Sequence, residues 1–193
     1  APNFLTVGIY KNRLGKIRLS DYQGKKYVLL VFYPANFTSV SPTELIQLSD
    51  RINDFRQLST QILAISVDSP FSHLRYSLSS RSQGGVGKLN YPLVSDLNQT
   101  ITKEYHLLTN DGLSFPGVYI IDKEGIIQYY TVNNLLCGRN IDELLRVLKS
   151  IQYIKENPGQ ACPVDWKNGD QILYSHPLKS KAYFKKLYPN KYK

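Results

Sequence analysis

An α/β domain is predicted by three features of this chain of 193 residues. Short apolar runs rich in β-branched and aromatic residues alternate with amphipathic stretches of helical length, which is typical of α/β proteins. A content of 42% hydrophobic and 20% charged residues suits one domain with a full core. No run of about 18 apolar residues is present, so no transmembrane helix is expected.

The elements are predicted in order from the first apolar run. Residues 27–33 (Tyr-Val-Leu-Leu-Val-Phe-Tyr) indicate a buried strand, which a helix over about 42–55 follows. The later elements are a strand at 62–67, a helix from about 70 to 80, an extended segment at 91–96, a short helix at 100–105, a hairpin of 118–122 with 126–132, and a helix that begins after Asn140. We expect one domain over 1–156 and a C-terminal arm over 157–193.

The positive charge is concentrated at the two ends. The formal net charge is +9, and neither residues 1–20 nor residues 176–193 contain an acid. The C-terminal lysines are interleaved with aromatic residues, which suits contact with nucleic acid, an anionic lipid surface or an acidic protein. An alternative of equal weight is a solvated tail whose charge only aids solubility. The middle of the chain has no basic stripe that would suit a nucleic-acid groove.

The segment 31–44 reads Val-Phe-Tyr-Pro-Ala-Asn-Phe-Thr-Ser-Val-Ser-Pro-Thr-Glu. Within it, residues 41–44 (Ser-Pro-Thr-Glu) match a helix capping box, with Ser41 as N-cap, proline at the first helical position and Glu44 at the third. We therefore expect Ser41 to cap the helix. A nucleophilic serine is disfavoured because His73, His106 and His176 suggest ordinary surface or tail residues and form no triad pattern.

Several spaced segments resemble the typical 2-Cys peroxiredoxins, closest to plastid and cyanobacterial members. They are residues 1–4 (Ala-Pro-Asn-Phe), the segment 31–44, the glycine loop 84–87, residues 161–166 (Ala-Cys-Pro-Val-Asp-Trp) and the pair Tyr183 and Phe184. The resemblance implies a thioredoxin-like fold and antiparallel homodimers joined through the strand at 126–132, and it allows decameric rings. It implies a plastid location, with the cytoplasm as the alternative.

The resemblance also assigns the site residues. It places Ser41 at the position of the peroxide-attacking (peroxidatic) cysteine and Cys162 at that of the resolving cysteine. Thr38 would hydrogen-bond the peroxide, and Pro34 would shield the site from water. Gln99 would replace an arginine that holds the thiolate and the peroxide.

A second family arginine, which pairs with the glutamate at the position of Glu44, would be replaced by Pro116. Glutamine carries no charge and proline offers no side-chain donor, so we expect the electropositive site to be lost.

The hydroxyl of Ser41 cannot replace a thiolate. It stays protonated near neutral pH, is a weaker nucleophile and has no oxidised state equivalent to a sulfenic acid. Cys162 is therefore expected to remain a free thiol, and Cys137 to pack as a small apolar residue. Two separated cysteines with no nearby histidine argue against a metal site, and no cofactor is predicted.

Two classes of function follow, and we favour the first. The first is an inactive pseudoenzyme that serves as a binding or structural subunit, with basic ends that dock on a larger protein or ribonucleoprotein assembly. The second is an inactivated Cys-to-Ser variant of a peroxidase that reduces hydrogen peroxide and alkyl hydroperoxides with electrons from a thioredoxin-like partner. A chaperone role is a third and weaker expectation.

Overall fold

A seven-stranded mixed sheet organises residues 1–141 in the computed structural model, which describes residues 1–189. The strands lie in the order β2-β1-β5-β4-β3-β6-β7. Their bounds are β1 Leu5–Tyr10, β2 Arg13–Arg18, β3 Tyr27–Phe32, β4 Thr60–Ser66, β5 Leu93–Ser95, β6 Gly117–Ile121 and β7 Ile127–Val132. The α/β prediction is confirmed.

Three parallel strands form the centre of this sheet. β3 pairs with β4 and β4 with β5 in parallel, while the β1–β2, β1–β5, β3–β6 and β6–β7 pairs are antiparallel. All six residues of β3 are buried, as its unbroken apolar run predicted. Along β7 half-buried and exposed residues alternate, which is typical of an edge strand.

Four α-helices lie in the same unit. They are α1 Ser41–Asp50, α2 Ile52–Gln57, α3 Pro70–Leu78 and α4 Thr100–Glu104. The single helix expected over 42–55 is interrupted at Arg51, whose backbone leaves the helical region at φ −99° and ψ 20°. The interruption separates α1 from α2.

Two hairpins frame the sheet. The β6–β7 turn was predicted correctly: one Asp122 carboxylate oxygen accepts the N–H groups of Glu124 and Ile126, and Gly125 supplies the positive φ of 82°. The β1–β2 hairpin was missed. Its turn uses Lys11 and Asn12, both at positive φ, in place of the asparagine–glycine pair that marks such turns in a sequence.

Within the described residues, a second compact unit begins at Asp142. It contains most of α5 (Ile141–Glu156), then β8 Gln160–Ala161, β9 Leu173–Tyr174 and α6 Pro177–Leu187. The buried Trp166 ring packs on Tyr153, with ring centroids 4.9 Å apart. The division into 1–156 and 157–193 remains a prediction, and the lysines at 191 and 193 lie outside the described residues. No helix within residues 1–189 has the length and apolar character needed to cross a membrane.

Candidate functional site

The turn from β3 into α1 carries the segment that contains Thr38 and Ser41. Ser41 is the first residue of α1 and is 4% exposed. Thr38 Oγ1 donates to Ser41 Oγ at 2.7 Å and lies 3.1 Å from the carbonyl oxygen of Ala35. Pro34 is buried at the start of the same turn. The structure therefore brings three of the predicted site residues together on one short segment.

The capping box expected at residues 41–44 is wrong. The residue that precedes the helix is Val40, which has helical dihedral angles, and no side chain caps the helix. Both the N–H and the hydroxyl of Thr43 donate to the Val40 carbonyl. Because the turn begins one residue earlier than predicted, the Ser41 hydroxyl bonds to Thr38 instead of the helix N–H groups.

Glu44 forms a buried ion pair with Arg139. Their side chains are 5% and 3% exposed, and the Arg139 guanidinium binds both carboxylate oxygens of Glu44. The backbone N–H of Arg139 donates to the same carboxylate at 2.7 Å. A third nitrogen of the guanidinium donates to the carbonyl oxygens of Phe32 and Gly117, each at 3.0 Å. Both carboxylate oxygens and all three guanidinium nitrogens are thus hydrogen-bonded within the protein.

This ion pair overturns the expectation that Glu44 lost its arginine at Pro116. Arg139 lies 95 positions away in the chain, and the motif Leu-Leu-Cys-Gly-Arg at 135–139 gives no local sign of the contact. An arginine is therefore present beside the first turn of α1, with its charge balanced by Glu44. Glu44 has not lost its arginine partner.

Gln99 and Pro116 lie directly before α4 and β6. Gln99 precedes α4 with a positive φ of 60°, and its side-chain amide donates to the Gly112 carbonyl at 2.9 Å. Pro116 directly precedes β6, and its carbonyl accepts the N–H of Asn133. Gln99 thus holds a loop in place. Its correspondence to a family arginine stays a prediction.

A buried polar network supports the turn from behind. The Tyr33 hydroxyl donates to the side-chain oxygen of Asn36 at 2.8 Å. The backbone N–H of Asn36 donates to Asp68 at 2.8 Å, and its side-chain amide donates to Ser72 at 2.8 Å. Ser72 in turn donates to Asp68 at 3.0 Å. The segment that leads to Thr38 is therefore tied to the residues after β4 and to α3.

His73 lies inside this network, so its expected place on the surface is wrong. Its ring is fully buried, and Nε2 lies 3.1 Å from the carbonyl oxygen of Val94. Since a carbonyl can only accept, Nε2 carries the proton and Nδ1 accepts from the side-chain amide of Asn36 at 3.2 Å. Burial lowers the pKa of His73 to about 4, which the Asp68 carboxylate partly offsets. The histidine is thus neutral at pH 7 and has a structural role.

Comparison with known proteins identifies the family. A sequence profile described as the AhpC/TSA family matches residues 1–130. The chain belongs to this family. A relative described as a putative peroxiredoxin ycf42 from Trieres chinensis is 76% identical over 190 residues, which cover 98% of this chain and 93% of that protein. A 2-cysteine peroxiredoxin from Chattonella marina var. antiqua, described as chloroplastic, is 51% identical over 97% of this chain and 96% of its own.

The fold of AhpC/TSA proteins is confirmed by a solved structure. The reduced 2-Cys peroxiredoxin of Plasmodium vivax superposes with a TM-score of 0.93 at 36% identity, over 95% of each chain. The thioredoxin-like fold implied by the resemblance is therefore correct.

Both cysteines of this AhpC/TSA protein are free thiols. Cys162 is partly buried, and its sulfur lies 3.9 Å from the Ser150 carbonyl. Burial raises the pKa of Cys162, although that hydrogen bond and the charge of Arg146 act against the rise. Cys137 is exposed, so its expected packing as a small apolar residue is wrong. It sits in a turn in which the neighbouring Leu136 is also exposed.

Proposed function

We propose that this AhpC/TSA protein is a catalytically inactive member of its family that acts as a binding or structural subunit. The observation that carries the proposal is the hydroxyl of Ser41 at the start of α1, buried and hydrogen-bonded to Thr38. A protonated hydroxyl cannot supply the thiolate that attacks a peroxide bond. With no sulfenic acid at position 41, Cys162 has nothing to condense with.

The first test is peroxidase activity. The unmodified protein, thioredoxin, thioredoxin reductase and NADPH are mixed with hydrogen peroxide or an alkyl hydroperoxide, and NADPH consumption is followed. We expect no turnover above the rate without the protein. Turnover that disappears in Cys162→Ser or Cys137→Ser would overturn the proposal, because one of those thiols would then serve as the nucleophile.

The second candidate function is a thioredoxin-dependent peroxidase inactivated by the change at position 41 alone. The pair of Glu44 with Arg139 favours it, because the glutamate beside the first helical turn keeps an arginine partner. Ser41→Cys separates the two proposals. If the first proposal is correct and the whole site has been lost, we expect Ser41→Cys to remain inactive, because Gln99 and Pro116 supply no charge. Recovered turnover that Cys162→Ser abolishes would establish the second function instead.

A homodimer formed through β7 is part of the proposal. β7 is an outer strand of the sheet, and Tyr130 and Val132 on it are 64% and 47% exposed. An exposed apolar edge is a template for pairing with a second chain. The double variant Tyr130→Lys and Val132→Lys is expected to be monomeric, as measured by light scattering at a controlled protein concentration. Leu14→Lys on β2, the opposite edge, is the matched control, and monomers from it alone would contradict the assignment.

The binding role is assigned to the basic ends, and the location to the plastid. The described part of the tail, α6, carries its lysines with no acid and exposes Phe184 and Leu187. The ycf42 and chloroplastic relatives support a plastid setting. Copurification from the native source tests the role with the full chain against a chain that ends at residue 175. Equal recovery of the same proteins or RNA with both chains would exclude the tail as the docking segment.

A further inference from the structure

A cavity of about 240 Å³ lies at the opposite end of the sheet from Ser41. Lys26, Thr60 and Pro92 line it, and they precede or begin the three parallel strands β3, β4 and β5. Ser41 instead follows the carboxyl end of β3. Because parallel strands place their amino ends at one edge, the cavity and the Ser41 segment belong to opposite edges of the sheet.

The cavity is basic and has no acidic lining residue. Lys26 and Arg56 line it, and neither has a carboxylate partner among residues 1–189. Arg56 makes one long contact, 3.4 Å, to the side-chain oxygen of Asn53. Two nearby acids are already paired, Asp50 with Arg81 and Asp54 with Arg51. Two cations therefore line one concave space, and the carboxylate of Asp21 lies beside it at Tyr22 and not in its lining.

Two tyrosines give the same space an aromatic wall. Tyr10, at the end of β1, is 37% exposed, and Tyr22 packs partly against the core. The ammonium of Lys11, which lines a different cavity, lies 5.3 Å from the centroid of the Tyr10 ring. Burial and the charge of Asp21 raise the pKa of Tyr22, so its phenol stays a neutral donor.

Backbone contacts and strand alternation hold three of the lining residues in place. Lys26 directly precedes β3, and its backbone N–H donates to the Tyr22 carbonyl at 3.0 Å. Gln61 lies two positions before Leu63 on β4, so both side chains point to the same face of the sheet. Leu63 belongs to a core cluster against which Tyr22 also packs. Tyr22, Lys26 and Gln61 are thus anchored to the sheet.

We propose that this cavity binds a nucleoside monophosphate, with the phosphate between Lys26 and Arg56 and the base against Tyr10. Charge-assisted hydrogen bonds from a lysine and an arginine suit a phosphate dianion, and an aromatic ring suits a purine or pyrimidine face. The volume of about 240 Å³ lies just below the usual range of small-molecule sites.

The experiment is calorimetric titration of the full chain with adenosine monophosphate, inorganic phosphate and adenosine separately. The monophosphate is expected to bind more tightly than either fragment. Lys26→Gln and Arg56→Gln should each weaken its binding about tenfold, as expected for loss of a charged hydrogen bond. Tyr10→Leu should weaken the monophosphate but leave inorganic phosphate unchanged. Lys103→Gln, an exposed lysine on α4 outside the cavity, is the matched control.

Three results would overturn the proposal. These are no saturable binding of the monophosphate, equal binding by the wild type and both charge variants, or an equal loss with Lys103→Gln, which would mean general attraction to the positive net charge. Circular dichroism and thermal unfolding of each variant establish that the fold is intact. Activity at position 41 plays no part in the readout, so failure here is distinguishable from failure of the function proposed above.

Discussion

Replacing Arg139 by methionine is expected to lower the free energy of unfolding by about 3–5 kcal/mol. The substitution leaves the Glu44 carboxylate, 5% exposed, without its counter-charge. It also removes the donors to the carbonyl oxygens of Phe32 and Gly117. A buried charge without a partner costs more than the ion pair itself contributes, because water cannot solvate it.

The assay is urea unfolding followed by circular dichroism at one protein concentration. Arg81→Met is the matched control, since Arg81 binds Asp50 through two nitrogens but the two side chains are 46% and 50% exposed. That surface pair should contribute less than about 1 kcal/mol. Glu44→Leu combined with Arg139→Met should recover part of the lost stability, because the unpaired charge is gone. Equal, small losses for Arg139→Met and Arg81→Met would refute the reasoning.

Three further predictions follow from burial and geometry. Because the pKa of His73 is about 4 in the folded protein and an unperturbed histidine has a pKa of 6.5, the unfolded chain takes up the proton first as pH falls. Stability should therefore fall by about 3 kcal/mol as pH drops from 6.5 to 4, and His73→Gln should flatten that part of the urea-unfolding profile. Gly8→Ala should destabilise by about 1–3 kcal/mol, since the added carbon would collide with the Ile17 side chain and lie 2.6 Å from the Leu93 carbonyl oxygen. Gly15→Ala, its cross-strand partner with open space, should cost much less in thermal unfolding, and equal costs would contradict the packing. Iodoacetamide should alkylate exposed Cys137 faster than Cys162, whose pKa is raised by burial, and mass spectrometry of peptides would show the reverse order if this is wrong.

The central part of the fold could be predicted because its residues have clear local preferences for strand or turn conformation. The all-apolar run at 27–33 and the turn that contains Gly125 each specify their structure within a few positions. The β1–β2 hairpin could not be predicted in this way. Lys11 and Asn12 both adopt positive φ in its turn, and lysine gives no sequence signal for that conformation.

The site was predicted less completely, because its decisive contacts are long-range. Thr38 and Ser41 lie three positions apart, and their hydrogen bond agrees with their expected proximity. Arg139 and His73 reach the same region from distant parts of the chain, and neither has a sequence signature that reports its burial. The capping pattern at 41–44 was locally valid, but both carboxylate oxygens of Glu44 bind Arg139 and no side chain caps α1.

The guanidinium of Arg139 also acts where the β3–β6 ladder ends. The last paired residues of that ladder are Val31 and Val118, and the next carbonyls, of Phe32 and Gly117, both accept from one nitrogen of Arg139. A side chain thus supplies the cross-link where the backbone ladder stops. Amide exchange at this end of the two strands should then report one cooperative opening, in which the start of α1 and both strand ends become accessible together.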